Sequence, residues 1–271
     1  MSYSAIEESS ELSQPVELYT FSYAGNTFAY TNDTEDVTIG STTYTAIPIH
    51  RGETEQNGDA EQANMEITVS RDSELGELFK AAPPSEPITI TILQYHRQLQ
   101  GNTIVVWKGR IIALSWKGSE LILTSENVFA SLLRIGVTRK FSRQCTHALY
   151  SGQCRANREQ FSMRTTAATI INNTVRIADT VQAGFYAGGY ATWRNSATGV
   201  VERRPITENT ETTITIVGFP SGLLVNTVEI TMYAGCDHTM NTCKDKFNNL
   251  VNYGGQPFIP LNNPFNGSTI Y

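Results

Sequence analysis

The sequence predicts a mainly β protein built as two β-barrel or sandwich units, with short helices and a four-cysteine site at the base of the second. Three observations carry that prediction. Only 17% of the 271 residues are charged and 10% are aromatic, while Thr, Asn, Ser, Val and Ile abound, a bias towards strands and turns. Alternating polar and apolar runs recur between Gly- and Asn-containing turns. Four cysteines fall as two close pairs, Cys145 with Cys154 and Cys236 with Cys243, on either side of the second set of strands.

Residues 1–16 are polar and acidic without periodicity and are expected to form a flexible acidic arm. An N-terminal β-barrel domain follows over 17–135. In it, "VELYTFSYAGNTFAYTN" alternates around Gly25-Asn26 and "DVTIGSTTYTAIPI" around Gly40-Ser41, a glycine-first pair suited to a type II′ hairpin turn. "NMEITVSRD" predicts a strand, "SELGELFKAAPP" a short helix capped by Ser73 and stopped by Pro83-Pro84, and "PITITILQYH" a strictly alternating strand. "TIVVWKGRIIALSWKGSELILTSEN" predicts two or three strands turning at Lys108-Gly109 and Lys117-Gly118, so that 17–126 makes a closed or nearly closed barrel or sandwich. A two-turn helix, "ENVFASLLRIG", leads out of this unit.

Residues 136–271 are expected to form a cysteine-cluster domain with an inserted β unit at about 165–235. Its strands are read from "AATIINNTVRIAD", "VVERRPITEN", "TTITIVGF" and "TVEITMYAG", with a Gly/Tyr-rich stretch "AGFYAGGYATWRN" between them. A compact β unit brings Cys154 and Cys236, just before and just after it, to its base. The Gly-, Asn- and Pro-rich tail after Cys243 is expected to close over the site.

Four thiols in two segments can form local disulfides, crossed disulfides or one tetrahedral thiolate site. The start of the chain lacks a basic and apolar leader, and no window of about 18 apolar residues occurs, so a reducing cytosol is the expected folding compartment and no membrane anchor is expected. There, clustered cysteines more often bind metal or do redox work. A shared site would close the long loop between the pairs, which local disulfides would not. His147 and His238, each two positions after a cysteine, leave a mixed Cys/His zinc site or a Cys-His nucleophile open.

The net charge of −6 hides an asymmetry: residues 1–79 carry fifteen acidic residues against Arg51 and Arg71. Arg134, Arg139, Lys140, Arg143, Arg155, Arg158 and Arg164 surround the first cysteine pair with Glu159 as the sole acid. A dianionic thiolate centre would be stabilised by such guanidinium groups, which would hold the thiols deprotonated; a solvated basic surface is the plainer reading. No phosphate-cradling loop, paired-histidine helix or Gly-x-Ser-x-Gly elbow occurs, and "AGFYAGGY" lacks the parallel βαβ setting of a dinucleotide fingerprint. No enzyme is expected.

With "VTIGSTTYTAIPIHRG", "WKGRI", "TRKFSRQCTHALYSGQC" and "AGCDHTMNTCKDKFNNLVNYGG" followed by "PFIP", the chain resembles the phage tail-tip or baseplate hub proteins of long-tailed phages and gene transfer agents, related to the lambda-like iron-sulfur tail tip protein. The resemblance implies tail-tube-like hub domains in a structural virion protein, located at the phage tail tip and assembled in the host cytoplasm. It implies a homotrimer, with the distal tail protein and a central fibre or tip protein as neighbours and DNA only in passage through the lumen. Cys145, Cys154, Cys236 and Cys243 would then ligate a 4Fe-4S cluster, with zinc as the alternative; gaps of eight and six residues lack the short CxxC knuckles common in zinc sites. The long acidic arm departs from the pattern; it would repel sliding DNA or meet a basic ring in the next layer. The competing readings are an iron-sulfur electron-transfer protein and a secreted β adhesin with two disulfides.

Overall fold

A computed structural model describes residues 15–53, 64–81, 83–97, 103–133, 136, 141–196, 198–223 and 227–260. Residues 1–14 of the expected acidic arm, Arg134, Arg139, Lys140 and the last residues of the tail lie outside the described residues, while Pro15 and Val16, expected in the arm, begin the first strand. The chain divides into two compact units, Met1–Ile135 and Gly136–Tyr271.

The first unit holds β1 (Pro15–Tyr23), β2 (Asn26–Thr31), β3 (Val37–Ile39), β4 (Thr42–Ala46), β5 (Ile49–Arg51), β6 (Asn64–Ser70), α1 (Glu74–Ala81), β7 (Thr89–His96), β8 (Thr103–Lys117) and β9 (Glu120–Asn127). These strands form one sheet in the order β3-β4-β2-β1-β7-β8-β9-β6-β5. It does not close in its hydrogen bonding as a barrel would: β3 and β5, three residues each, end it among the described residues. The core is apolar, with Leu18, Phe21, Ile67, Ile90, Ile92, Leu121 and Leu123 fully buried. Leu75 and Phe79 bury one face of α1, whose first turn is capped by Ser73 Oγ accepting from the Gly76 N–H at 3.1 Å.

Turn chemistry explains most of the hairpins. Ile39 pairs with Thr42 across Gly40-Ser41, with Gly40 at φ +62°. The first hairpin turns at Ala24-Gly25, one residue earlier than predicted; both have positive φ and Tyr23 pairs with Asn26. Lys108-Gly109 is not a turn: β8 runs straight through it, and Gly109 is there because a Cβ would collide with the Glu126 carbonyl oxygen on the neighbouring strand. The helix predicted over "ENVFASLLRIG" is a short 3-10 turn, Val128–Leu133, because β9 continues to Asn127.

β8 outlasts one of its two partners. β7 leaves it where the Ile111 N–H donates to the Ile88 carbonyl at 2.8 Å, and the chain before that carries Pro83, Pro84 and Pro87, which offer no N–H. Ile112 falls in a β-bulge, and from there to Lys117 the strand is paired only with β9 among the described residues. Ile112 and Trp116 on this stretch are 50% and 37% exposed.

The second unit is a closed six-stranded barrel of β10 (Ser162–Ile171), β11 (Thr174–Ile177), β12 (Tyr190–Arg194), β13 (Val201–Asn209), β14 (Thr213–Ile216) and β15 (Glu229–Tyr233), ordered β10-β11-β14-β13-β12-β15. Alternation fills it with Val175, Ile177, Ala191, Trp193, Ile206, Ile214, Ile216, Ile230 and Met232. The "AGFYAGGY" glycines permit close backbone contact: a Cβ on Gly189 would strike the Tyr233 carbonyl, and one on Gly235 the Ala187 carbonyl. A short helix, α2 (Met240–Asp245), follows the barrel, capped by Thr239.

Candidate functional site

The barrel's first and last strands are neighbours, and this fixes the site. β10 pairs antiparallel with β15, Ser162 opposite Tyr233, and the Ala234 N–H donates to the Phe161 carbonyl at 2.9 Å. The chain therefore enters and leaves the barrel side by side. The segment before it, with Cys145 and Cys154, meets the segment after it, with Cys236 and Cys243. The Cys145 N–H donates to the His238 carbonyl at 2.8 Å, and Tyr150 Oη donates to the Ala234 carbonyl at 2.7 Å.

All four cysteines are free thiols. Cys145 Sγ accepts from the Gly254 N–H and Cys236 Sγ from the His238 N–H, both at 3.3 Å. Cys243, buried on α2, points its Sγ at the Asn249 carbonyl at 3.3 Å. Asn249 Nδ2 donates to the Cys154 carbonyl at 2.6 Å. Phe247 meets Phe161 and Tyr150 edge-on with ring centroids 4.8 and 6.2 Å apart.

The thiols also feel one another's charge. Burial pushes the Cys243 thiol up to about 11, with Cys145, Cys236 and Cys154 adding to the rise. Burial likewise raises Cys236, helped by Asp237, Cys145 and Cys154 and opposed by the His238 N–H. Among the described residues the charges acting on these two thiols are negative, while Arg134, Arg139 and Lys140 of the expected basic cluster lie outside them. Arg143 Nε donates to the Pro257 carbonyl at 3.1 Å, Arg158 pairs with Glu159 at 2.9 Å, and Arg164 faces Glu229 at 3.7 Å. One cation of this region was not singled out from the sequence. Lys246 Nζ donates to the Gly235 carbonyl at 2.7 Å and to the Phe185 carbonyl, and burial lowers its pKa against the pull of Cys236 and Asp237.

Neither histidine contributes a ring to the thiols by the contacts observed. His147 Nδ1 lies 3.2 Å from the Asn252 carbonyl and its ring lies against Gly254, while His238 serves through its backbone. Among the described residues, no set of three or more His, Cys, Asp or Glu groups is placed to hold a metal ion. Asn249, Gly254, Gly255 and Tyr253, none anticipated individually, complete the surroundings: Tyr253 Oη donates to the Arg143 carbonyl at 2.7 Å and the Gln256 N–H to the Ser142 carbonyl at 2.8 Å. The readable signal for them was the Gly-Gly pair, a mark of close backbone approach.

The family model for the baseplate hub protein N-terminal attachment domain matches residues 11–157, more than half of the chain. The chain belongs to this baseplate hub protein family. A second model, phage conserved hypothetical protein BR0599, matches residues 184–263 of the hub protein and so takes in the other cysteine pair. A chain from the virion of a native gene transfer agent particle has the same fold, with a TM-score of 0.78 at 16% identity over 99% of this chain and 97% of that one. No curated protein matches. The hub protein is thus a structural tail or baseplate component of a virion. Among its described residues no helix is long and apolar enough to cross a membrane.

Proposed function

We propose that this hub protein forms a homotrimeric ring between the end of the tail tube and the central tip or fibre, and that Cys145, Cys154, Cys236 and Cys243 hold a 4Fe-4S cluster. The observation that carries the cluster reading is the meeting of four free thiols from two segments at the β10–β15 seam. Amide N–H groups already aimed at Cys145 and Cys236 suit sulfurs that carry negative charge. A single zinc on the same four sulfurs is the alternative occupant. When bound, the cluster would supply a strong link between the two ends of the second unit. Free thiols and family membership weigh against the disulfide adhesin.

The role is structural, without catalysis. Neighbours in the tail are the distal tail protein on one side and the central fibre or tip protein on the other, with DNA passing through the lumen. The one-sided stretch of β8 supports assembly, because an unpaired strand edge is a template for another strand. Phe141, Val251 and Phe258, each at least 87% exposed in the second unit, support it further.

The test is oxygen-free purification with iron, sulfide and zinc assays, beside a Cys236→Ser/Cys243→Ser variant. About four irons per chain, lost in the variant, is the expected result; stoichiometric zinc or metal-free thiols would overturn the cluster. Sedimentation of the same sample should give a trimer, and a monomer at high concentration would overturn the ring.

A further inference from the structure

The register of the second barrel lines up side chains from four neighbouring strands. Arg164 on β10 stands opposite Thr231 on β15, Thr231 opposite Thr192 on β12, and Thr192 opposite Arg203 on β13. Their chain neighbours Ala191, Trp193, Ile230 and Met232 fill the barrel, so this row points outward. Two residues along the strands, Tyr233 stands opposite Tyr190 with the rings stacked, centroids 4.6 Å apart. A guanidinium group closes each end of the stack, Arg158 at 5.9 Å from the Tyr233 centroid and Arg203 at 5.3 Å from that of Tyr190. On the other side of the row opens a cleft of about 540 Å³ lined by Thr192, Arg194, Val201, Glu229 and Thr231.

Arg158, Arg164, Arg194 and Arg203 thus share one exposed face of the barrel. Ring faces hold a cation without neutralising it. Among the described residues the acids beside them are Glu159, 2.9 Å from Arg158, and Glu229, 3.7 Å from Arg164; both pairs are exposed. Exposed pairs are screened and weak, so the face keeps a positive surplus that an anionic partner complements.

The chain itself carries a segment of matching chemistry. Residues 1–14, outside the described residues, hold Glu7, Glu8 and Glu11, five serines and no Lys or Arg. Carboxylates take paired hydrogen bonds from guanidinium groups, and serine hydroxyls suit a floor of threonine hydroxyls. Length suffices as well: four strands span roughly 15 Å, and a segment of this length reaches up to roughly 45 Å when extended.

Resting on the ring reading above, we infer that the acidic segment 1–14 of one copy docks on the arginine face of β10, β15, β12 and β13 in the adjacent copy. The contact joins unlike surfaces, so it repeats around a closed ring instead of ending in a two-fold pair. The basic partner of the acidic arm is then in the same ring and not in the next layer.

The test reverses charge on each side in the full-length chain and follows trimer formation by sedimentation equilibrium at low salt. Arg164→Glu/Arg203→Glu should weaken association about tenfold or more, and Glu7→Lys/Glu8→Lys/Glu11→Lys should do the same. Both sets in one chain should recover most of it, and mixing the two variants should give heteromers that neither forms alone. Arg176→Glu, on β11 and off this face, should match the parent. A trimeric parent unmoved by the face reversal, or a weakening that the arm reversal does not rescue, overturns the docking and leaves the ring. Rescue in one chain without heteromers on mixing puts the arm on its own barrel and overturns the contact between copies. A monomeric parent overturns the ring and this inference together. If thermal melts show that Arg164→Glu/Arg203→Glu does not fold, Arg164→Gln/Arg203→Gln takes its place; weaker association upholds the docking and parent-like association overturns it.

Discussion

Asn249 donates from its side-chain Nδ2 to the carbonyl oxygen of Cys154 at 2.6 Å, across 95 residues of sequence. Its backbone holds Cys243 as well, the N–H donating to the Cys243 carbonyl at 2.9 Å and the carbonyl accepting from Sγ. Replacing Asn249 by alanine strands the Cys154 carbonyl and should destabilise the chain by about 1–3 kcal/mol. Asn249→Asp, which sets a carboxylate oxygen against that carbonyl, should cost more. Urea denaturation of the full chain followed by tryptophan fluorescence checks both.

Gly254 and Gly255 make a paired test of close approach. A Cβ on Gly255 would stand 2.7 Å from the Arg143 carbonyl oxygen, and one on Gly254 would stand 2.5 Å from His147 Nε2. A backbone oxygen cannot step aside and a ring can, so Gly255→Ala should be the more destabilising, with costs of about 1–3 kcal/mol. Adding His147→Ala should relieve Gly254→Ala and leave Gly255→Ala unchanged, a coupling that a double-mutant cycle on unfolding midpoints measures.

Acid should weaken the first unit through Asp33. Burial raises its pKa, but hydrogen bonds from Arg97, with Nε at 3.0 Å, and from the Thr34 N–H carry it below the ordinary 3.8. A carboxyl depressed in the folded state contributes stability above its unfolded value and loses it as pH falls through the folded one. Stability should therefore fall as pH drops below about 4, and Asp33→Asn should flatten that slope while lowering stability at neutral pH. Thermal melts between acid and neutral pH give the comparison.

The stretch of β8 that pairs with β9 alone among the described residues predicts an assembly phenotype without a folding one. Ile112→Lys places a charge on an exposed position of the bulge, which blunts strand addition. The chain should keep its unfolding free energy to within about 0.5 kcal/mol, while sedimentation should show loss of the proposed trimer. An unchanged oligomer would remove β8 from the interface.

Alternation made the strands legible, because a half-buried ladder imposes period two on side chains whatever lies around it. β6, β7 and β15 follow the quoted stretches closely. Gly109 misled because a glycine that makes room for a carbonyl looks in sequence like one that makes a turn. Openness of the first sheet could not be read either, since closure depends on whether β3 and β5 meet and not on any local pattern. The meeting of the two cysteine segments followed from their bracketing position. The partners of the basic residues did not: Arg143, Arg158 and Arg164 turn to Pro257, Glu159 and Glu229, while Lys246 reaches the Phe185 carbonyl through a contact only the fold creates.

The Gln256 N–H and the Ser142 carbonyl bond directly at 2.8 Å, with the whole barrel strung between them in sequence. Tension applied to the chain at these two points runs through that short bridge and the contacts of Tyr253 and Asn249, so the barrel's ladders carry no load until the bridge gives way. A tail component built like this yields first at the Ser142–Gln256 bridge, and the barrel behind it is slack held in reserve.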